Sequence, residues 1–488
     1  MTPNAIVTHD LRQKAGSLFE QPLQQSLNDA YTIVTHDAHP NHALRIRAHN
    51  ALNSGDDIRS NAVSGHSYCE GATKGYTGYL TSGDKHFYFA YFESRTSPED
   101  DPLLMWINGG PGCSSMMGLF MENGPCRVNE HGNETIANPY SWIETANIFF
   151  LDQPIGVGFS YDSGSLPGHS NGTFAASDDI YAFMRLWYLQ FPKSQKKPFS
   201  IAGESYGGHY IPIFASHIVE QNELSIYEGR PEDVVPLESV MIGNGIFDPL
   251  HQATSGWDMT CTNVTGIGPV ITEDGVCEEM ASHIDRCEYL WTACYDYPDP
   301  LICRAANTYC GRNIDGPYFQ TGLNYYDISK PCNGDLCYPE IDSITKYLNR
   351  QDVRDAFGVD KAVSRFDACS NSVGRDFNKV GDGNTPTTTF TTFLLNKGIK
   401  VLMYVGTYDW ICNFVGNERF LLALPWIGDY GYRHAATYGQ KQWEGGQWWE
   451  FENLRYIRVQ GAGHMVPFDK PEVALSMVKS WLKGKPLK

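Results

Sequence analysis

The sequence predicts an α/β protein with a mainly parallel central sheet that is flanked by helices on both faces. Short, nearly continuous apolar runs alternate along the chain with helical patterns, which is typical of parallel strands buried on both faces. The predicted strands lie around the apolar runs Leu103–Ile107, Ile148–Leu151, Phe199–Ala202, Val240–Ile242, Val401–Val405 and Tyr456–Val459. Two helices are the clearest: one follows Gly208, and one near the end begins at Pro471, because proline favours the first position of a helix.

Length and composition indicate a globular protein and exclude several classes of partner. The 488 residues suffice for one large core with an insertion, and 42% of them are hydrophobic. The formal net charge of −19 disfavours binding to nucleic acid or to an anionic membrane. No run of 18 or more apolar residues predicts a membrane-spanning helix. The composition leaves monomer and homodimer open.

The thirteen cysteines predict disulfide bonds rather than a metal site. No cysteine pair has zinc-like spacing, no HExxH motif occurs, and neither a metal nor a cofactor is expected. Since thirteen is odd, at least one thiol is free or pairs with another chain. Sequons at Asn133, Asn171 and Asn263 predict glycosylation and agree with passage through the secretory pathway to a vacuole or the cell exterior. The first residues contain no recognisable signal peptide, so we expect that the signal is missing from this chain.

The chain divides into four predicted segments. Residues 1–64 are polar and are interpreted as an N-terminal extension or pro-region, and residues 65–250 as the first part of the core. Residues 251–375 contain nine of the cysteines and few apolar runs. We interpret them as an inserted cap that is crosslinked by disulfides and covers the edge of the sheet at which the active site is expected. An independent disulfide-rich domain is the alternative. Residues 376–488 complete the core.

The motif Gly203-Glu204-Ser205-Tyr206-Gly207 identifies Ser205 as a candidate nucleophile. It is a G-x-S-x-G sequence between a predicted strand and a predicted helix. In that setting the glycines permit a tight, strained turn that lifts the serine side chain clear of the sheet edge.

A nucleophilic serine needs a base, and the base needs a carboxylate that orients it. Asp409 and His464 each follow a predicted strand, where α/β proteins place their active sites. The attacked carbonyl also needs hydrogen-bond donors for its developing negative charge. We expect the main-chain N–H of Tyr206 and that of Gly110, in the glycine-rich turn after Ile107, to provide them.

Longer motifs resemble the serine carboxypeptidase family. They are Asn108-Gly-Gly-Pro-Gly-Cys-Ser-Ser115, Glu122-Asn-Gly-Pro125, Gly203-Glu-Ser-Tyr-Gly-Gly208, Asp409-Trp-Ile-Cys-Asn413 and Gly461-Ala-Gly-His-Met-Val-Pro467. The resemblance extends from about Tyr76 to about Leu482. It implies an α/β-hydrolase fold with an inserted cap, and a serine-type carboxypeptidase that acts on the C-termini of peptides and proteins.

The resemblance also implies residues that bind substrate. Asn108, Glu122 and Glu204 would hold the free carboxylate of the substrate, with Trp106 supporting them. An amide and protonated carboxyls can donate hydrogen bonds to a carboxylate without the full charge of a cation. The substrate pocket is expected to contain Gly109, Met117, Met121, Ile411, Cys412 and Met465, although the methionines are nearly as well explained as core residues.

The family further implies how the cysteines pair. The expected disulfides are Cys113–Cys369, Cys261–Cys277, Cys287–Cys310, Cys294–Cys303 and Cys332–Cys337, with Cys412 as the free thiol. Cys69 and Cys126 remain and are expected to bridge to each other. The sequence by itself proves none of these connectivities.

Two other functions stay open at this point. An acyltransferase on the same scaffold would use the same triad, because only the acceptor differs, but the carboxylate-binding set favours peptides. A catalytically silent binding protein should have lost a member of the triad, and none is lost here.

Overall fold

The computed structural model describes residues 31–49, 68–164 and 172–487. In these ranges the strands are β1 (Thr32–Thr35), β2 (His42–His49), β3 (Gly75–Ser82), β4 (Lys85–Phe92), β5 (Leu103–Ile107), β6 (Cys126–Val128), β7 (Thr135–Ala137), β8 (Asn147–Leu151), β9 (Tyr161–Asp162), β10 (Phe199–Glu204), β11 (Leu237–Gly243), β12 (Leu323–Asn324), β13 (Asp327–Pro331), β14 (Lys400–Gly406), β15 (Lys441–Trp443), β16 (Gly446–Phe451) and β17 (Leu454–Val459). The α-helices are α1 (Ser177–Gln190), α2 (Gly207–Tyr227), α3 (Pro249–Gln252), α4 (Ser255–Cys261), α5 (Val276–Ser282), α6 (Ile284–Asp296), α7 (Pro300–Cys310), α8 (Gly316–Phe319), α9 (Glu340–Leu348), α10 (Gln351–Ala356), α11 (Asn371–Val380), α12 (Thr388–Asn396), α13 (Phe414–Ala423), α14 (Asp429–Tyr438), α15 (Val466–Asp469) and α16 (Pro471–Leu482).

One large mixed sheet organises the molecule. Its strand order is β1-β2-β3-β4-β8-β5-β10-β11-β14-β17-β16-β15, with β9 paired to β4. The six strands from β8 to β17 in this order pair in parallel, and antiparallel strands extend the sheet on both sides. The prediction of a mainly parallel central sheet is therefore confirmed, and all six apolar runs identified in the sequence are strands of its parallel centre.

Side chains of the central strands alternate between two hydrophobic cores. In β5, Met105 belongs to the core on one face and Trp106 to the core on the other. Helices α1 and α2 pack on the first face through side chains such as Trp187 and Phe214, and α16 packs on the second through Trp481. Because both faces are covered, the central strands need apolar residues at every position, which explains the continuous runs.

The first described residues belong to the main sheet. The polarity of residues 31–49 places them in the predicted N-terminal extension, in which no strand is expected. In the structure, β2 pairs antiparallel with β3 along its whole length, from His42 to His49, and β1 pairs with β2. The conformation of β1 and β2 depends on pairing with residues distant in sequence, and the polar composition of this segment does not predict that pairing. The segment boundaries at residues 65, 250 and 375 stay predictions.

The segment predicted as a cap is mainly helical. Helices α6 and α7 pack together around a small hydrophobic cluster of their own, which includes Trp291 and Ile314. The short hairpin of β12 and β13 brings Tyr325 and Tyr326 to the carboxyl ends of the central strands, where their carbonyls accept hydrogen bonds from Ile411 and His464. This segment therefore contacts the edge of the sheet at which the candidate triad lies.

Six disulfides occur in the described residues, and Cys412 is a buried free thiol. The pairs are Cys69–Cys126, Cys113–Cys369, Cys261–Cys277, Cys287–Cys310, Cys294–Cys303 and Cys332–Cys337. They are the pairs expected from the sequence. Asn133 and Asn263 are exposed, and Asn171 lies outside the described residues. Within the described ranges, no helix has the length and apolar character that crossing a bilayer requires.

Candidate active site

Ser205 occupies the turn between β10 and α2. Its backbone is in the left-handed region, with φ +59°, which is strained for a residue with a side chain. The turn is tied down because Ser205 N–H donates to the carbonyls of Gly243 and Asn244, at 3.0 and 3.1 Å. A methyl group at Gly208 would lie 2.3 Å from the carbonyl oxygen of Ile246, so glycine is required there. The hydroxyl of Ser205 is presented at the carboxyl end of the central strands, as the motif predicted.

Asp409 and His464 meet at the same edge of the sheet. Asp409 follows β14 and is fully buried, and His464 follows β17 and is 3% exposed. His464 Nδ1 lies 2.8 Å from Asp409 Oδ2. Since a carboxylate only accepts, Nδ1 carries the proton of this hydrogen bond and Nε2 is left as the basic nitrogen.

Cys412 lies next to this pair. Burial raises the pKa of its thiol well above the usual value, with the negative charge of Asp409 as a second cause. The sulfur, an Asp409 oxygen and a His464 ring nitrogen lie within 4.8 Å of one another. Because the raised pKa keeps the thiol protonated, this group is a poor metal site, and we assign it none.

Two unpartnered main-chain amides lie beside Ser205. A methyl group on Gly109 would lie 2.5 Å from Tyr206 N and 2.7 Å from Ser205 Cβ, so the glycine turn is packed directly against Ser205. Gly110 has φ +114°, which needs glycine. Within the described ranges, neither Gly110 N nor Tyr206 N donates to another residue. Free N–H groups at this position can stabilise an oxyanion.

The residues expected to bind a carboxylate form one buried network. The side-chain amide of Asn108 donates to Glu122 Oε1 at 3.2 Å and to Glu204 Oε1 at 3.0 Å. Its carbonyl oxygen accepts from Trp106 Nε1 at 2.8 Å and from Gly118 N at 3.0 Å. These four hydrogen bonds fix the orientation of the Asn108 amide, so it holds the two carboxyls together.

Glu122 and Glu204 both have raised pKa values. Burial raises the pKa of Glu122 to about 7. Burial also raises the pKa of Glu204 well above its usual value, and the neighbouring Glu122 charge raises it further. The Oε2 atom of neither carboxyl has a hydrogen-bond partner in the described part of the chain. The pair can therefore donate a hydrogen bond to an anion.

Residues expected in the substrate pocket occupy two different environments. Ile411 is 38% exposed and lines an open cavity of about 520 Å³, together with the side chain of Tyr206. Met117, Met121 and Met465 are each at most 3% exposed and belong to the core cluster around Trp106. Their burial agrees with the alternative interpretation of the methionines as core residues.

Three neighbouring residues were not identified from the sequence. Asn244 donates from its side-chain amide to Asp409 Oδ2 at 2.7 Å. The ring of Tyr326 lies 4.8 Å from that of His464, measured between centroids. Arg127 donates to the carbonyl oxygen of Glu122 at 3.4 Å. None belongs to a recognisable motif; for Asn244, its position just after a predicted strand was the one available signal.

Comparisons with known proteins agree on a single family. A family profile described as serine carboxypeptidase matches residues 69–484. Carboxypeptidase Y of Komagataella phaffii is 42% identical over 420 residues, which cover 84% of this chain and 76% of that protein. Carboxypeptidase Y of Candida albicans is 38% identical over 492 aligned residues, covering 99% and 83%.

A solved structure shows the same fold. It is Kex1(delta)p, a prohormone-processing carboxypeptidase from Saccharomyces cerevisiae, with a TM-score of 0.69 and 24% identity over 90% of this chain and 91% of that one. The central parallel sheet with helices on both faces is accordingly an α/β-hydrolase fold, as the resemblance implied. The chain belongs to the serine carboxypeptidase family, and it is a serine-type carboxypeptidase.

Proposed function

We propose that this carboxypeptidase releases the C-terminal amino acid of a peptide through an acyl-enzyme on Ser205. His464 Nε2 takes the proton of the Ser205 hydroxyl as the oxygen attacks the scissile carbonyl carbon. Asp409 orients the ring and stabilises its positive charge. The proton then passes to the leaving amino group, and a water molecule activated by His464 hydrolyses the ester.

The developing oxyanion is bound by two main-chain amides. Gly110 N–H and Tyr206 N–H are both free of other partners among the described residues. They are held in place before the reaction begins, because the glycine turn packs against Tyr206 N. Preorganised donors of this kind contribute a large part of the catalysis of acyl transfer.

The observation that supports an exopeptidase most is the carboxyl pair next to the nucleophile. Glu204 is adjacent to Ser205 in sequence, and Asn108 holds it beside Glu122. With Trp106 fixing Asn108, whose side-chain amide holds both carboxyls, this network offers a carboxyl proton to the terminal carboxylate of the substrate. Since the pair must keep a proton to do so, we propose that free-acid peptides are bound best at acidic pH.

Two substrates that differ only at the terminus test this function. An N-blocked dipeptide with a free carboxylate should be hydrolysed far more efficiently than its amide, and Ser205→Ala should abolish both activities while a fluorophosphonate labels only the wild type. Labelling of the Ser205→Ala protein would remove the nucleophile assignment. Equal kcat/KM for acid and amide would remove the carboxylate-binding role.

The same experiment addresses acyl transfer. With an added amine acceptor, a hydrolase should still release mainly free acid at low acceptor concentration. Predominant transfer of the acyl group to a metabolite-like acceptor would favour the acyltransferase alternative.

We further propose that the protein resides in a vacuole or outside the cell. Disulfides persist in oxidising compartments, and two of its predicted glycosylation sites, Asn133 and Asn263, are exposed. Sensitivity of the natively expressed protein to an N-glycosidase would support this placement, and an unglycosylated cytosolic protein would contradict it.

A further inference from the structure

An open cavity lies close to Ser205. Tyr206 and Ile411, the neighbours in sequence of Ser205 and Cys412, line it. Residues of α7 and of the loop from 381 to 384 also line it. Asn108, Glu122 and Glu204 are not among its lining residues. A peptide whose terminal carboxylate lies at the carboxyl pair would therefore place its preceding residues here.

The size of the cavity suits a short stretch of peptide. Its volume of about 520 Å³ is enough for one or two side chains. Many of the lining residues are polar, among them Gln252, Asn307, Asn378, Asn384 and Asn413. Such a wall does not select for purely apolar residues, so the charges that face the cavity become important for selectivity.

Two unpaired cations stand in this wall. Arg304 on α7 and Lys379 on α11 both line the cavity and are exposed. Neither forms an ion pair or a side-chain hydrogen bond with any residue in the described ranges. The chain as a whole carries a formal charge of −19, so acidic side chains are abundant, yet none neutralises this pair. Their charge is thus available to a ligand.

The remaining ionisable groups at the cavity do little to offset these cations. The one lining carboxyl is Asp315, and burial raises its pKa to about 7, so it is largely neutral in acid. Tyr206 also lines the cavity; its hydroxyl donates to Asp382 at 2.7 Å, and burial raises its pKa well above the usual value. Asp382 is not among the lining residues, and its carboxylate also accepts hydrogen bonds from Thr173.

We propose that this cavity selects peptides with an aspartate or glutamate in the two residues before the scissile bond, and that Arg304 and Lys379 are the specificity-determining residues. The proposal rests on the carboxypeptidase site described above and extends it to a substrate class. Oppositely charged groups at a partly open site alter affinity modestly, so each cation should change selectivity by about three- to tenfold.

The test uses N-blocked peptides that share a C-terminal leucine and differ only in carrying Glu, Gln or Lys at one of the two preceding positions. Near pH 5.5, about one unit above the usual pKa of a glutamate side chain, the peptide glutamate is ionised. The wild type should cleave a Glu peptide with a kcat/KM at least about threefold above that of the Gln peptide, and the Lys peptide should be the poorest. Raising the salt concentration should shrink these differences.

Variants locate the effect. Arg304→Gln and Lys379→Gln should each lower the Glu-to-Gln ratio of kcat/KM, and the double variant should bring it close to one. Lys483→Gln is the matched control, since Lys483 is an exposed cation that follows α16. Trp481 of α16 donates a hydrogen bond to Ser239 near the amino-terminal end of β11, which is the opposite edge of the sheet. The Glu-to-Gln ratio of kcat/KM of this variant should equal that of the wild type. Since all three side chains are exposed, thermal melting should show folded variants.

The outcomes separate this inference from the underlying function. The acidic selectivity is overturned if the wild type has a Glu-to-Gln ratio of kcat/KM of one or below at both positions. It is also overturned if the double variant keeps the wild-type ratio. Either result leaves the carboxypeptidase activity in place. Failure to cleave any of the free-acid peptides, including the Gln series, would instead count against the proposed function.

Discussion

Asn244 and His464 donate to the same oxygen of Asp409. His464 Nδ1 lies 2.8 Å from Asp409 Oδ2, and Asn244 Nδ2 lies 2.7 Å from it. The main-chain carbonyl of Asn244 also accepts the N–H of Ser205 at 3.1 Å. One residue therefore contacts Asp409 and Ser205, two members of the proposed triad, and its backbone is in the left-handed region, with φ +44°. We infer that Asn244 positions the proposed triad.

Replacing Asn244 should reduce the chemical step. In Asn244→Ala, Asp409 loses a hydrogen bond to a charged acceptor, which contributes about 1.5–3 kcal/mol, so kcat should fall about 10- to 100-fold. KM for a free-acid dipeptide should change little, since Asn244 does not touch the carboxyl pair. Steady-state kinetics together with a melting curve test this. A folded variant with wild-type kcat would show that Asn244 has no positioning role.

The carboxyl pair predicts how KM depends on pH. With the pKa of Glu122 near 7, the pair retains its protons in acid and loses one as the pH rises past neutral. An ionised pair repels the terminal carboxylate of the substrate, so KM for a free-acid peptide should rise by up to about tenfold per pH unit above 7. KM for the matched amide should stay nearly flat. Parallel curves for the two substrates would contradict this.

Glu204→Gln should weaken the dependence for the free acid without abolishing it, because the new amide donates at every pH while Glu122, with a pKa of about 7, still titrates. The variant removes one titrating carboxyl from the pair and keeps its shape. KM for acid and amide substrates would be measured from pH 5 to 9 in both proteins. If the variant retains the wild-type slope for the acid, Glu204 is not the group that senses pH.

Cys412 should react slowly for a free thiol. It is 2% exposed and its thiol pKa is raised, so little thiolate is available to a reagent. Iodoacetamide at pH 7 should alkylate it more than about tenfold more slowly in the folded protein than in the unfolded one. Inactivation should follow that alkylation, since the sulfur lies within 4.8 Å of an Asp409 oxygen and a His464 ring nitrogen. Peptide mapping beside the activity time course tests both points, and modification without loss of activity would refute the second.

Reduction should loosen α6 and α7 before the sheet. Cys287–Cys310 and Cys294–Cys303 join these helices around a small hydrophobic cluster, whereas the parallel strands lie between two large cores. A disulfide typically contributes about 2–4 kcal/mol, which is a large share of the stability of so small a cluster. Hydrogen exchange under mild reductant should rise first in residues 284–310. Earlier exchange in β10 or β14 would contradict this expectation.

Local patterns in the sequence were sufficient for the centre of the sheet and for the turn that holds Ser205. A strand buried on both faces must be apolar at each position, and β5 and β14 meet this requirement with a few consecutive apolar residues. The turn at Ser205 needs glycine on either side because backbones approach closely there. Both requirements concern residues that are neighbours in sequence, so a short stretch of the chain reveals them.

Long-range contacts decided the rest. The pairing of β2 with β3, the placement of Tyr326 against His464 and the hydrogen bond from Asn244 to Asp409 join residues that no local pattern connects. The sequence by itself determined which elements form the parallel centre of the sheet and which residue type stands at the turn. Only the tertiary structure decided which buried groups meet and how their pKa values shift, because burial and charge proximity arise when distant segments pack together.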